Sequence, residues 1–179
     1  MRAAADLQAR GVPVRLRIVG AGAERPGLEH LAASLRAPVD FLGPVPHAEV
    51  VHHYGWADTL LVSLRGWGPF EWTVPSKLYE VLATGRHITA ALAGEGAGLV
   101  SRTGAGDVVT PEDARALVDL WTTLQRDRTR LVVDGRGRAW ATEHADFDVL
   151  AERYLAVLHD VVGHGTGGRS SPRAPNGEP

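Results

Sequence analysis

Residues 65–92 read RGWGPFEWTVPSKLYEVLATGRHITAAL, and this stretch decides the fold. It leaves one apolar run, crosses a loop of glycines and aromatics, enters a segment of helical period behind Pro75 and Ser76, and ends in a second apolar run. A strand, a loop, a short helix and another strand in that order form a crossover unit of a parallel sheet. The same alternation continues in both directions. Strands are expected at RLRIVG (15–20), VDFLG (39–43), TLLVSL (59–64), HITAAL (87–92) and GDVVT (106–110), each bounded by glycine, proline or charged residues. Helices are expected over 3–10, 26–36, 47–56, 76–84, 96–103 and 111–127, the last with Pro111 in its opening turn. Past residue 110 the strands stop. Two further helices are read over 131–144 and 147–162, the second with Leu150, Tyr154, Leu155 and Leu158 on one face that should pack on the sheet domain or on a neighbour. The fold class is therefore α/β, a parallel sheet with flanking helices.

Composition fits that class and removes others. The 179 residues carry 19 basic and 21 acidic side chains with 44% hydrophobic content, as expected of one ordinary globular domain. With no cysteine there are no disulfides and no thiolate metal sites. A formal charge of -2 supplies no global basic field to draw in nucleic acid. The opening MRAAADLQAR lacks the apolar stretch of a signal peptide, so a cytoplasmic location is the expectation. Residues 1–162 form the expected domain, and 163–179, GHGTGGRSSPRAPNGEP, are expected to be a disordered tail, because glycine, proline and serine offer no apolar surface to offset ordering. The chain opens on a crossover helix with no strand before it, so a first strand is expected to be missing.

Polar residues at the carboxyl ends of such strands face the crevice where open parallel sheets bind ligands. Glu80, in the amino-terminal half of its helix, offers a carboxylate that can accept two hydroxyl hydrogen bonds, as a ribose diol would present. After the first strand, Gly20 and Gly22 would let backbone amides approach an anion, or would simply make a tight strand-to-helix turn. A dinucleotide fingerprint is disfavoured: Arg25 occupies the place of its third glycine, and Asp40 lies inside the next strand rather than at its end. His47, His52 and His53 fall on different helix faces with no carboxylate to complete a ligand set, so no metal is expected. Trp121 and Trp140 read as core, Asp58 as a backbone-bonding structural residue, and the arginines from 126 to 138 as a solvated face. Trp67 and Phe70 either meet an acceptor or lipid carrier or pack locally.

The ordered motifs IVGAG, VDFLGPV, a tyrosine shortly before WAD, VPSKLYEVLATGRHITA, GEGAGLV and GAGDVVTPED resemble the nucleotide-binding half of retaining glycosyltransferases of family four, which have the GT-B fold. The resemblance runs from residue 15 to about residue 162. It implies a Rossmann-like C-terminal GT-B domain in which Glu80 binds the ribose of a nucleotide diphosphate sugar. An earlier glutamate of the family, eight positions ahead, contacts the donor sugar; here Trp72 stands there and the glutamate is Glu71. Either a loop shift lets Glu71 do that work, or the branch with the VPSK sequence handles the sugar differently. Ser76 and Lys77 match positions that meet the diphosphate, against a reading in which Ser76 caps the helix and Lys77 is solvated. Gly94, Glu95 and Gly96 match a loop approaching the donor sugar or its phosphates, Glu95 having a helix cap as its other reading. Gly20 and Gly22 match a loop near the acceptor side. Glu71 and Lys77 are thus the catalytic candidates.

The resemblance further implies no cofactor and no bound metal, a nucleotide sugar as donor, and an acceptor that is a sugar or a lipid-linked or protein glycan, in polysaccharide or glycoconjugate synthesis. The acceptor domain and any peripheral membrane contact would lie outside this chain, making it a fragment or half-enzyme with little activity alone. A GT-B sugar-nucleotide epimerase and a non-catalytic nucleotide-sugar-binding module are the other classes.

Overall fold

The computed structural model describes residues 1–165, and it divides into two compact units, Met1–Ala141 and a second beginning at Thr142. In order, the first unit holds α1 (Arg2–Ala9), β1 (Leu16–Val19), α2 (Arg25–Leu35), β2 (Val39–Leu42), α3 (His47–Trp56), β3 (Leu60–Ser63), a 3-10 turn (Gly68–Trp72), α4 (Ser76–Ala83), β4 (Ile88–Ala91), α5 (Gly94–Thr103), β5 (Gly106–Val109), α6 (Ala114–Arg126) and a second 3-10 turn (Arg128–Leu131). α7 (Arg136–His144) bridges into the second unit, and α8 (Phe147–Gly165) follows. The expected tail from 163 overlaps the end of α8, and its remainder, 166–179, lies outside the described residues.

All five expected strands form, and every pairing is parallel. They do not make one sheet. β1 pairs only with β2, Leu16 opposite Val39, and β3, β4 and β5 make a separate sheet in that order, Leu60 opposite Ile88 and Ile88 opposite Gly106. β4, ITAA, is buried at every position because it has a neighbour on each edge and helices on both faces. The main core packs Leu78, Val81 and Leu82 of α4 and Leu99 and Val100 of α5 against Leu60, Val62, Ile88 and Ala90 of the sheet. A smaller cluster joins α1 to α6 through Ala3, Leu7 and Val118.

A polar network ties the amino ends of the three-stranded sheet. Thr59, just before β3, lies 2.8 Å from His87 Nδ1 and 2.9 Å from the Thr89 hydroxyl, while His87 Nε2 lies 3.1 Å from Asp107 on β5. Arg130 donates to Asp107 at 2.8 Å and Trp121 Nε1 to Thr89 at 3.2 Å. With Nε2 carrying the proton toward the carboxylate, Nδ1 accepts from Thr59, so the imidazole is satisfied while neutral. Burial, only partly offset by the bond to Asp107, pulls the His87 pKa below its ordinary value.

Several expectations need correction. α6 begins at Ala114 rather than at Pro111: Glu112 adopts a left-handed backbone (φ 62°) and Asp113 caps the helix by accepting from the Ala116 amide at 2.9 Å. α5 starts at Gly94, ahead of Gly96. The segment read as a helix from 131 becomes a 3-10 turn ending at Leu131 and a helix from Arg136. Asp58 meets the guanidinium of Arg128 rather than backbone; the arginines from 126 to 138 are exposed, as expected of a solvated face, with Arg130 paired to Asp107 and Arg136 to Asp134. Trp121 and Trp140 are half-buried at the margins of the two clusters, Trp140 stacked on Tyr79 with ring centroids 6.1 Å apart. Leu150, Tyr154, Leu155 and Leu158 make an exposed apolar face of α8 within the second unit. Among the described residues no helix is long and apolar enough to cross a membrane.

Candidate functional site

α4 places its charged residues at the carboxyl side of the sheet. Pro75, extended, serves as N-cap and Ser76 is the first helical residue, so the helix opens without a side-chain cap and Ser76 is not the capping residue. Lys77 and Glu80, three apart, share a face, and Lys77 Nζ reaches Glu80 Oε2 at 2.5 Å. The other carboxylate oxygen, Oε1, accepts the phenolic hydroxyl of Tyr54, from the last turn of α3. Burial alone would raise the Glu80 pKa. The bonds from Lys77 and Tyr54, with the charges of Lys77 and His47, outweigh it and hold the carboxyl below its ordinary range. The same contact works the other way on Tyr54, whose hydroxyl is pushed up by burial and then by the neighbouring carboxylate. Glu80 is thus ionised and acceptor-only at neutral pH, with both oxygens aimed by fixed donors.

A second group forms where the 3-10 turn meets α5. Gly94 adopts a left-handed backbone (φ 60°), and a Cβ there would run into the carbonyl of Glu71. At Gly96 a Cβ would crowd Leu92 Cδ1 at 3.2 Å and lie in ordinary contact, 3.6 Å, with Pro75 Cδ and the Thr73 carbonyl oxygen. The loop carrying Glu71 therefore rests directly on the amino end of α5, and only glycine admits that approach. The N-cap of α5 is Ala93, with no side-chain cap bond, so Glu95 lies in the first turn and is not a cap. The free amides of that turn and its partial positive charge are the features that receive anions at helix starts. Trp67 and Phe70 form an edge-to-face pair with centroids 5.0 Å apart, and Trp72 is 83% exposed.

Gly20 and Gly22 belong to the other sheet. Gly20 (φ 127°) ends β1, and Arg25 donates from Nη1 to the carbonyls of Gly20 and of Leu42 at the end of β2, 2.7 Å each. The guanidinium fills the turn where a dinucleotide fingerprint would carry glycine, which favours the turn reading of these glycines. Of the expected site residues, the structure joins Lys77 with Glu80 and Glu71 with Gly94. Sequence reasoning left Tyr54 without a role and missed Arg25 as a clamp; one turn-end tyrosine carries no spacing signal that points to a carboxylate 26 residues on. Among the described residues no cluster of histidine and carboxylate side chains could hold a metal.

Comparison with known proteins agrees with this architecture. Sucrose-phosphate synthase from Thermosynechococcus elongatus superposes with a TM-score of 0.75 at 21% identity, covering 91% of this chain and 42% of that one. HepE of Anabaena, solved in complex with UDP-glucose, gives 0.72 at 20% identity over 89% of this chain and 45% of its own. A glycosyltransferase from Rickettsia africae gives 0.69 at 15% identity, over 89% and 43%. The fold is the α/β architecture of GT-B glycosyltransferases, and the chain spans less than half the length of these proteins. No curated protein matches the sequence. The family model described as glycosyl transferases group 1 matches residues 1–127, and the chain belongs to that family.

Proposed function

We propose that this chain is the donor-binding half of a retaining glycosyltransferase that takes a sugar from a nucleotide diphosphate sugar for polysaccharide or glycoconjugate synthesis. The observation that carries this reading is the Glu80 carboxylate, ionised and oriented at the carboxyl side of the sheet by Tyr54 and Lys77. Its two oxygens suit the paired hydroxyls of a ribose, which would replace the contact from Lys77 while Oε1 keeps its bond from Tyr54 and accepts on its second lone pair. Lys77, released by that exchange, stands beside Ser76 at the start of α4 and would meet the diphosphate. The amino-end turn of α5, Gly94 to Gly96, with Glu71 against it, would approach the donor sugar. That HepE was solved with UDP-glucose, UDP and glucose supports the ligand class.

Departure of the nucleotide diphosphate requires its charge to be stabilised while an acceptor is held on the same face of the sugar, and an acceptor domain would supply the other wall. The isolated chain accordingly binds donor but turns over little, and its working location is the cytoplasm. The test is calorimetry and thermal unfolding with UDP, GDP and their glucose conjugates. One of them should raise the melting temperature of the native chain and leave Glu80→Ala unmoved; equal protection of both proteins would refute the assignment.

A further inference from the structure

β5 leads into α6 through a tight turn, Thr110 to Asp113, closed by the Asp113 amide on the Thr110 carbonyl at 3.3 Å. Pro111 stands second in it and Glu112 third, with a left-handed backbone (φ 62°), a place that suits glycine or asparagine and strains a larger residue. Among the described residues one other non-glycine residue, Arg36, has a positive φ, and it closes the end of α2, where that conformation is routine. Glu112 closes no helix. Its carboxylate instead reaches 46 residues back: Oε2 accepts the Gly66 amide at 3.1 Å. A Cβ on Gly66 would lie 3.2 Å from that oxygen and 3.8 Å from Pro111 Cβ. Because β4 lies between β3 and β5, the bond joins connections that leave strands two places apart, roughly 10 Å between axes.

We propose that Glu112 is a positioning residue of the donor site: its carboxylate clasps the start of the loop at Gly66 and so fixes the 3-10 turn that carries Glu71 and Trp72. The consequence for the donor sugar rests on the function proposed above; the clasp itself does not. After Leu64 bonds to the Ala91 carbonyl, the backbone of residues 65–73 turns on itself. Trp67 donates to Arg65 at 2.9 Å, Phe70 to Trp67 at 2.8 Å, Thr73 to Phe70 at 3.2 Å, and the Thr73 hydroxyl to Pro69 at 3.2 Å. A turn bonded in this way is stiff inside and moves as one piece about its ends. Gly94, packed on the Glu71 carbonyl, restrains the trailing end. Among the described residues, the bond from Gly66 to Glu112 ties the leading end to another element. Without it the turn is free to swing off the amino end of α5, taking Glu71 and the 83% exposed Trp72 with it. Side-chain length explains why a glutamate holds so unfavourable a place. Glycine would relax the backbone but offers no acceptor, and aspartate ends one carbon short of Gly66. Local strain persists where the surroundings over-determine it, and here the surroundings are the loop of the donor site.

Two variants of the full chain separate the clasp from a general loss of structure. Glu112→Gly relaxes the left-handed turn while removing the acceptor, so it should melt within about 2 °C of the native chain or above it. Its amides at Gly66, Phe70 and Thr73 should nonetheless exchange at least about fivefold faster, with Ile88 and Val108 unchanged. Glu112→Gln keeps an acceptor of equal reach and should hold the same three amides within about twofold of native. Calorimetry with UDP, GDP and their glucose conjugates then reads the donor side. For the nucleotide that binds, Glu112→Gly should leave the bare diphosphate within about twofold, since Glu80, Tyr54 and Lys77 are untouched, and weaken the glucose conjugate about fivefold, with Glu112→Gln restoring it. Native exchange at Phe70 and Thr73 in Glu112→Gly, no rescue by Glu112→Gln, a melting temperature lower by more than about 5 °C, or a conjugate that weakens no more than its diphosphate would each overturn the proposal. Binding of none of the four compounds counts against the donor assignment alone, and exchange in the free chain still decides the clasp.

Discussion

Tyr54 and Glu80 lie 26 residues apart in sequence and meet through a single hydrogen bond, phenol to carboxylate, that links the last turn of α3 to the middle of α4. The bond orients the one carboxylate the proposed donor site depends on. Tyr54→Phe removes it and leaves the ring. Because the pair is only partly buried, the expected loss of stability is about 1 kcal/mol, with donor affinity reduced several-fold as Glu80 gains rotamer freedom. Chemical denaturation and calorimetry with UDP measure the two effects separately.

Gly94 is expected to tolerate no side chain. Gly94→Ala forces a left-handed backbone on an L-residue and drives its methyl into the Glu71 carbonyl, so the loop must move off α5. A loss of about 2 kcal/mol or more is expected, because strain and displacement add. Thermal unfolding gives the cost, and donor binding should fall further than that of Gly22→Ala, where a Cβ meets nothing within 4 Å.

His87 gives stability a dependence on pH. Its pKa in the folded chain lies below the ordinary value of 6.5, so above about pH 6.5 it is neutral in both states and the full stability is present. As pH falls below that value the unfolded chain binds a proton that the folded chain resists, and stability is lost until the folded pKa is passed. Denaturation between pH 5 and 8 should show this decline, and His87→Gln should flatten it at the cost of lower stability throughout.

Arg25 should act on one sheet alone. It donates to the carbonyls closing β1 and β2, and these strands share no hydrogen bonds with β3, β4 or β5. Arg25→Met should speed amide exchange at Ile18 and Phe41 while leaving Ile88 and Ala90 unchanged, a difference that residue-resolved exchange reads directly.

The strands were legible because each apolar run is short, β-rich and bounded by glycine, proline or charge, and residues 65–92 carry an entire crossover unit in one piece. The start of α6 was misread because Pro111 and Asp113 both signal a helix opening; the left-handed Glu112 between them gives the cap to Asp113. A strand was expected to be missing ahead of the first helix, but which edges stay unpaired was not legible. Periodicity reports which residues form strands and is silent on which edges meet, so the gap between β1 and β3 emerges only from pairing. Glu80 was singled out by its place in the helix at the carboxyl side of the strands and Lys77 by the family resemblance, whereas Tyr54 comes from another element and its contact depends on how α3 lies against α4.

The cross-strand lacing of Thr59, His87, Thr89 and Asp107 sits at the opposite rim of the sheet from Glu80 and Gly94. Alignment of three strands is thereby anchored where no substrate would travel. Loops at the far rim can then change in length and composition without unfastening the scaffold beneath them.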